Sequence, residues 1–287
     1  MTLYLCENDV MRTLNMGQTT KTVAGVTLAL VTLAGCGGGG GATVINTPPN
    51  EVAFAAASAK GTVALSGVVL DSAALTAIAG TGSLNRDTNA VTFSGLTGQI
   101  DATRVVIDIT GGGQATLTTK ADQFGARFTA SPIGGASTTG VIGVATLASD
   151  MPTGSAEYIG DTRLSAQVGT DLYELTGTAS VAATFGLDGT VNTTLTGLSG
   201  QKIPSLADAT VISDAGTLTL AGASIKGTSF AGGTSAATGG VFALSGKQTT
   251  IQAGQFFGPD ATEAGGTFVI DDTSDGTTVI QGDFLVD

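Results

Sequence analysis

The 287-residue chain has no histidine and no tryptophan, only two cysteines, and charged side chains at 12% of its positions. Without histidine, the Ser-His-Asp arrangement, the commonest general base and most zinc or haem ligation are excluded together. Cys6 and Cys36 both lie within the first 36 residues, so a folded part beyond them carries no disulfide. Basic residues are scarce: 11 Lys and Arg stand against 23 Asp and Glu, for a net charge of −12, and none cluster. Phosphate backbones need clustered cations, so nucleic acid is excluded as a partner. From Met151 onward there are 14 acids and 4 bases, a net of −10. That half would attract a basic surface, or its acidity serves only to keep a Gly- and Ala-rich surface soluble. A sustained 3.6-residue period is also missing; residues 72–78 offer a turn or two of helix at most.

What remains is β-rich composition: Thr and Val among 44 glycines, punctuated by short polar turns. Over residues 173–185 the odd positions read Tyr, Leu, Gly, Ala, Val, Ala, Phe, and the even ones are mostly Thr, Ser and Glu. That alternation predicts a strand with one face inward and one in water. Residues 191–197, 217–225, 241–246, 266–270 and 278–286 read as further strands, separated by turns such as Leu187-Asp188-Gly189 and residues 271–276. Glycines inside these patterns (Gly177, Gly222, Gly246, Gly282) suit a small closed barrel, where strands bend and large side chains need room across the interior. The expected fold class is all-β: an eight-stranded antiparallel barrel over residues 151–287, preceded by a β-rich, handle-like region over residues 51–150. Seven of the eleven phenylalanines lie in the barrel segment, enough to fill its lumen. Residues 92–100 (TFSGLTGQI) and 194–203 (TLTGLSGQKI) echo each other, either as a weak duplication or as chance in a Gly/Thr/Leu-rich chain.

Residues 1–35 read as a lipoprotein signal peptide. Lys21 precedes 14 uncharged residues, too few to span a bilayer comfortably but of signal-peptide length. Leu33-Ala34-Gly35-Cys36 resembles the bacterial lipobox, which implies lipidation of Cys36 and cleavage before it. Residues 36–50, five glycines and then ATVINTPPN after the cysteine, form a flexible tether that Pro48-Pro49 stiffens. Gly37 is not the Asp that retains such proteins at the inner membrane, so the resemblance implies the outer membrane, with the protein facing the exterior.

Residues 253–268 read AGQFFGPDATEAGGTF. Physically this is a strand end, one helical turn and a restart. Asp260 can cap, Glu263 completes a capping box, and Gly265-Gly266 ends the turn and releases the next strand. Phe256 and Phe257 point to opposite faces, so one enters the barrel while the other packs beneath the turn. The segment resembles the C-terminal barrel signature of transferrin-binding protein B-like surface lipoproteins, which include the factor H-binding proteins. It is carried by Phe256, Phe257, Gly258, Pro259, Glu263, Gly265, Gly266 and Phe268. Residues 151–158 (MPTGSAEY) resemble that barrel's opening strand. The signature implies a fold and names no binding residue.

Other motifs fail. Residues 271–276 mimic a calcium loop, but its third position is Thr273 and its twelfth is Gly282. Gly246-Lys247-Gln248 lacks the spacing and hydroxyl of a phosphate loop, and Gly227-Thr228-Ser229-Phe230-Ala231 misses the nucleophile elbow at its last position. No catalytic residue, metal site or cofactor is expected. The resemblance implies a binding module, with iron-carrier or nutrient capture as its setting and contacts through barrel-end loops such as residues 201–215 and 230–239. A structural or adhesive envelope lipoprotein is the alternative that composition leaves open.

Overall fold

The computed structural model describes residues 51–56, 59–71, 73–133, 137–203, 209–272 and 278–287. The signal peptide, Cys36 and the tether lie outside the described residues. The described part falls within one compact unit, Asn46–Asp287, and it is built of eighteen strands.

The first eight strands are β1 (Thr62–Asp71), β2 (Thr76–Asn85), β3 (Ala90–Phe93), β4 (Leu96–Ile100), β5 (Val106–Ile109), β6 (Gly113–Thr118), β7 (Gly125–Pro132) and β8 (Thr138–Val144). They pair in chain order as an antiparallel meander, and β1 pairs with β8 to close a barrel. The handle-like region is therefore a barrel in its own right. Full closure removes the exposed edges that strands this short would otherwise present. Its lumen holds Phe54, Leu65, Leu84, Phe93 and Phe128, all 2% exposed or less. Residues 73–75 form a turn into β2 and not a helix. Leu75 there takes a left-handed φ of 53°, which a helix does not admit.

The second set is β9 (Gly154–Val168), β10 (Asp171–Phe185), β11 (Thr190–Ile203), β12 (Thr210–Ile212), β13 (Thr217–Lys226), β14 (Ser229–Ala231), β15 (Thr234–Thr238), β16 (Thr249–Phe257), β17 (Glu263–Asp272) and β18 (Thr278–Val286). Pairing of β11 with β13 closes β9, β10, β11, β13, β14, β16, β17 and β18 into a second eight-stranded barrel. β12 and β15 are additions, on β11 and β13. In β10 every odd residue from Tyr173 to Phe185 except Gly177 is buried, and every even one is exposed.

Three phenylalanines fill this barrel by lying across glycines on the paired strand. Phe230 registers with Gly254, Phe284 with Gly266, and Phe268 with Gly282. A Cβ at Gly254 would lie 2.0 Å from the Phe230 ring, and at Gly266 or Gly282 it would lie 2.8 Å from the facing ring. The glycines thus provide volume at these positions, as a tightly curved barrel requires.

Two expectations change. Residues 241–246 are not a strand: Gly239 and Gly240, at φ 69° and 67°, turn the chain, and Asp272 then holds Ser245 by its N–H and hydroxyl. This segment connects β15 to β16 and leaves only Phe242 buried against the core. Residues 230–239 are not a loop. They carry β14 and β15, one hairpin partner of β13 interrupted at Gly232-Gly233. The two echoing strings take different structures. Residues 92–100 fold back at Ser94-Gly95 as the β3–β4 hairpin, whereas 194–203 run on within β11.

β17 and β18 register Asp272 opposite Thr278, the hairpin expected there, and the turn at 273–277 lies outside the described residues. The expected excursion at 201–215 holds the end of β11 and the short β12, with 204–208 outside the described residues.

Candidate functional site between the barrels

Strands β1, β2, β7 and β8 of the first barrel face β16, β17 and β18 of the second. The signature segment sits on this face, and its residues divide by strand alternation. Phe256 points into the second barrel, with its ring centroid 5.2 Å from Phe185 and 5.3 Å from Phe230. Phe257 points the other way, into a small cluster with Val141, Leu285 and Phe124. It packs against the first barrel, not beneath the turn.

Gly258 then turns the chain at φ 72°. Its N–H donates to the Val144 carbonyl (3.0 Å), and its own carbonyl accepts from Thr146 Oγ1 (2.8 Å). A side chain there would meet Thr262 Oγ1 at 2.6 Å and the Phe124 ring at 2.7 Å, on a backbone that L-residues rarely adopt. Pro259–Ala261 is one 3₁₀ turn with no side-chain cap. Tyr158 Oη donates to the Ala261 carbonyl (2.7 Å), and burial pushes the phenol up to about 12.

The capping box does not form. Asp260 sits at φ 52°, outside helical geometry, and the turn is too short to present an amide above it. Glu263 instead opens β17 and reaches the first barrel. Oε1 accepts from the Phe124 N–H and Oε2 from the Gly125 N–H, each at 2.8 Å. Burial pushes this carboxyl up to about 7; the two N–H groups act downward, and Asp287 and Asp122 act upward.

Gly265 and Gly266 do not end the turn, because both lie within β17. Gly265 faces outward, where a Cβ would sit 3.1 Å from Val141 and 3.2 Å from Leu285 and Phe257. Gly266 and Phe268 face the lumen. The signature thus has two faces, one packing the second barrel and one docking the first.

Beside it lies a cluster that the sequence reading did not identify. Asp283, 2% exposed, is held by one arginine from each barrel: Arg127 Nη1 at 2.8 Å and Arg163 Nε at 2.7 Å. Arg127, from the first barrel, also donates to the Asp161 carbonyl of the second. Arg163, from the second, donates to Thr129 Oγ1 of the first at 3.2 Å. Burial pushes Asp283 above the usual carboxylate range while Arg163 and Arg127 act against it. The available signal was a lone charge inside an apolar strand, Gly282-Asp283-Phe284-Leu285.

Next to this clamp a cleft of about 580 Å3 opens between the barrels. Its floor is the outer face of the second barrel, where strand register lines up two polar rows. One runs Gln281, Ser165, Glu174, Gln201, and the other Asp283, Arg163, Thr176, Ser199. Leu70, Thr129 and Thr139 of the first barrel face them. Such a floor offers hydroxyl, amide, guanidinium and carboxylate groups to a polar partner. Its size is that of a ligand site. Among the described residues no group of three or more Asp or Glu is placed to hold a metal ion.

Residues 151–284 match the family of the C-lobe and N-lobe beta barrels of transferrin-binding protein B. The second barrel is therefore of the transferrin-binding protein B β-barrel type. No curated protein sequence matches it. Similar solved structures include a transferrin-binding protein B mutant from Haemophilus parasuis, at 16% identity and TM-score 0.49, covering 77% of this chain and 44% of that one. The isotype 1 protein from serogroup B Neisseria meningitidis aligns at 17% identity and TM-score 0.46, over 78% of this chain and 43% of that one. The haemoglobin receptor HpuA from Kingella denitrificans aligns at 14% identity and TM-score 0.32, over 85% of this chain and 92% of that one. The chain therefore spans less than half the length of these two transferrin-binding protein B structures.

Proposed function

We propose that this protein is a binding module displayed on the outer membrane, lipid-anchored through Cys36, that captures a host iron-carrier protein and catalyses nothing. The observation that carries the reading is the family match over residues 151–284. Leu33–Cys36 and the glycine tether supply the means of display, since a diacylated cysteine brings at least two chains at about 0.8 kcal/mol per buried methylene.

The contact region follows from the corrected loops. With 230–239 taken up by strands, the other expected segment is the candidate contact surface: the start of β10, the end of β11 and β12. Leu172 and Val211 are exposed on it by 48% and 78%. Exposed apolar side chains beside the polar cleft floor give a mixed surface of the kind that protein interfaces use.

The test is a binding titration of the whole chain against transferrin and against haemoglobin. Saturable binding to one of them, weakened by Val211→Asp, is the expected result. Binding to neither, with unchanged growth of a deletion strain on protein-bound iron, would reject the iron-carrier reading. Loss of cell adhesion in that strain would instead favour an adhesive envelope protein. For the anchor, Cys36→Ala should release the protein or leave it unprocessed, and mass spectrometry finding an unmodified N-terminus on the wild-type protein would reject lipidation.

A further inference from the structure

The four arginines among the described residues fall into two pairs, and only one pair holds a carboxylate. Arg127 and Arg163 share Asp283. Arg86 and Arg104 stand on two turns, β2–β3 and β4–β5, at the end of the first barrel that the segment carrying Phe54 closes. They are 2% and 3% exposed.

Arg86 Nη2 donates to the carbonyls of Val52 (3.0 Å) and Ala53 (3.2 Å), while its Nε and Nη1 have no acceptor. Arg104 Nη1 donates to Asn89 Oδ1 (3.2 Å), and its Nε has no acceptor. The carboxylates on the same turns are committed elsewhere. Asp87 accepts from the Gly61 N–H at 3.1 Å, and Asp101 accepts from Thr103 Oγ1 at 2.8 Å and the Val105 N–H at 3.0 Å. Burial, and then the charge of Arg104, hold the Arg86 guanidinium below its usual range.

Two neighbouring cations under cover, with donors left over and no counter-charge among the described residues, are a costly arrangement in a protein interior. A guanidinium fork matches the oxygens of a tetrahedral anion, and one such anion would neutralise the pair and satisfy donors from both. We infer that the closed end of the first barrel binds a small free oxyanion of the phosphate or sulfate type between Arg86 and Arg104. The cover over both side chains favours a free ion above a lipid headgroup or a polymer phosphate. The site is independent of the iron-carrier reading, since it uses the other end of the arginine inventory and none of the cleft residues.

The test is thermal unfolding of the whole chain in chloride and in inorganic phosphate at equal ionic strength. Phosphate at about a hundred times its dissociation constant should raise Tm by roughly 5 °C. Arg104→Gln should abolish that rise and should melt in chloride no lower than the wild type, because it removes a repulsion. A wild type that melts alike in both salts overturns the inference, as does an undiminished phosphate gain in Arg104→Gln. Should that variant not fold, Arg104→Lys keeps the charge without the fork and should retain only a fraction of the rise; a full rise would again overturn it. Vesicles of anionic phospholipid should leave Tm unchanged, and a vesicle effect that Arg104→Gln removes would reassign the site to a headgroup. On the wild type, broadening of the phosphate 31P line should be reversed by sulfate, and an unbroadened line counts against the site.

Discussion

The two barrels have the same strand number and the same antiparallel closure, but they are built differently. Strands β9, β10 and β11 run 14 or 15 residues, while β3, β4 and β5 run only 4 or 5. The second barrel fills its lumen with phenylalanines laid on glycines. The first relies mainly on Val, Leu and Ile, with Phe54, Phe93 and Phe128. Where they meet, the second supplies Phe257, Glu263 and Asp283, and the first supplies Phe124, its amide and that of Gly125, and Arg127. The difference suggests a division of labour in which a long-stranded barrel serves as the base on which a short-stranded one is docked.

The largest expected effect comes from breaking the dock. Asp283→Ala leaves the buried Arg127 without its carboxylate, beside the part-exposed Arg163, and should cost about 3–5 kcal/mol in denaturant unfolding. Phe284→Ala, which empties the space over Gly266, should cost a similar ~3–5 kcal/mol, but should leave the salt dependence unchanged. A loss under 1 kcal/mol in either would show that the residue is not packed as described.

The next effect is a pH dependence. Glu263 has a folded pKa of about 7 against an ordinary 4.5, so between those values the folded protein holds the proton more tightly than the unfolded chain. Stability from this group is full below about pH 4.5 and is lost as pH rises through about 7, by roughly 3 kcal/mol. Glu263→Gln should flatten that part of the curve. A wild-type stability that rises over the same window through this residue would contradict the assignment. The smallest effect is Tyr158→Phe, which removes the bond to the Ala261 carbonyl and should cost about 1 kcal/mol.

How much of this was legible in the sequence follows the same division. The alternation over 173–185 exposed β10 plainly, because one face of a long strand is in water and the other in the lumen. Strands of four residues carry too few alternations to register, so 51–150 read only as a β-rich, handle-like region although eight strands close a barrel there. β17 was placed only in its middle, since it is buried on both faces and shows no alternation. The Pro-Asp-Ala-Thr-Glu order read as a capping box because local spacing is all that a sequence displays. The N–H donors that Glu263 accepts from lie 138 and 139 residues away. Arg127 and Asp283 are each the lone charge in their strand and Arg163 shares β9 with Glu157 and Asp161, so only the docking of two barrels makes the three a cluster.

The most direct test of the dock as the organising contact is a double-mutant cycle on Arg127 and Asp283, read by equilibrium unfolding. Arg127→Met and Asp283→Leu should each be costly alone, and the double variant should lose much less than the sum, with a coupling of about 1–3 kcal/mol. Strictly additive losses would mean that the two barrels do not meet through this pair.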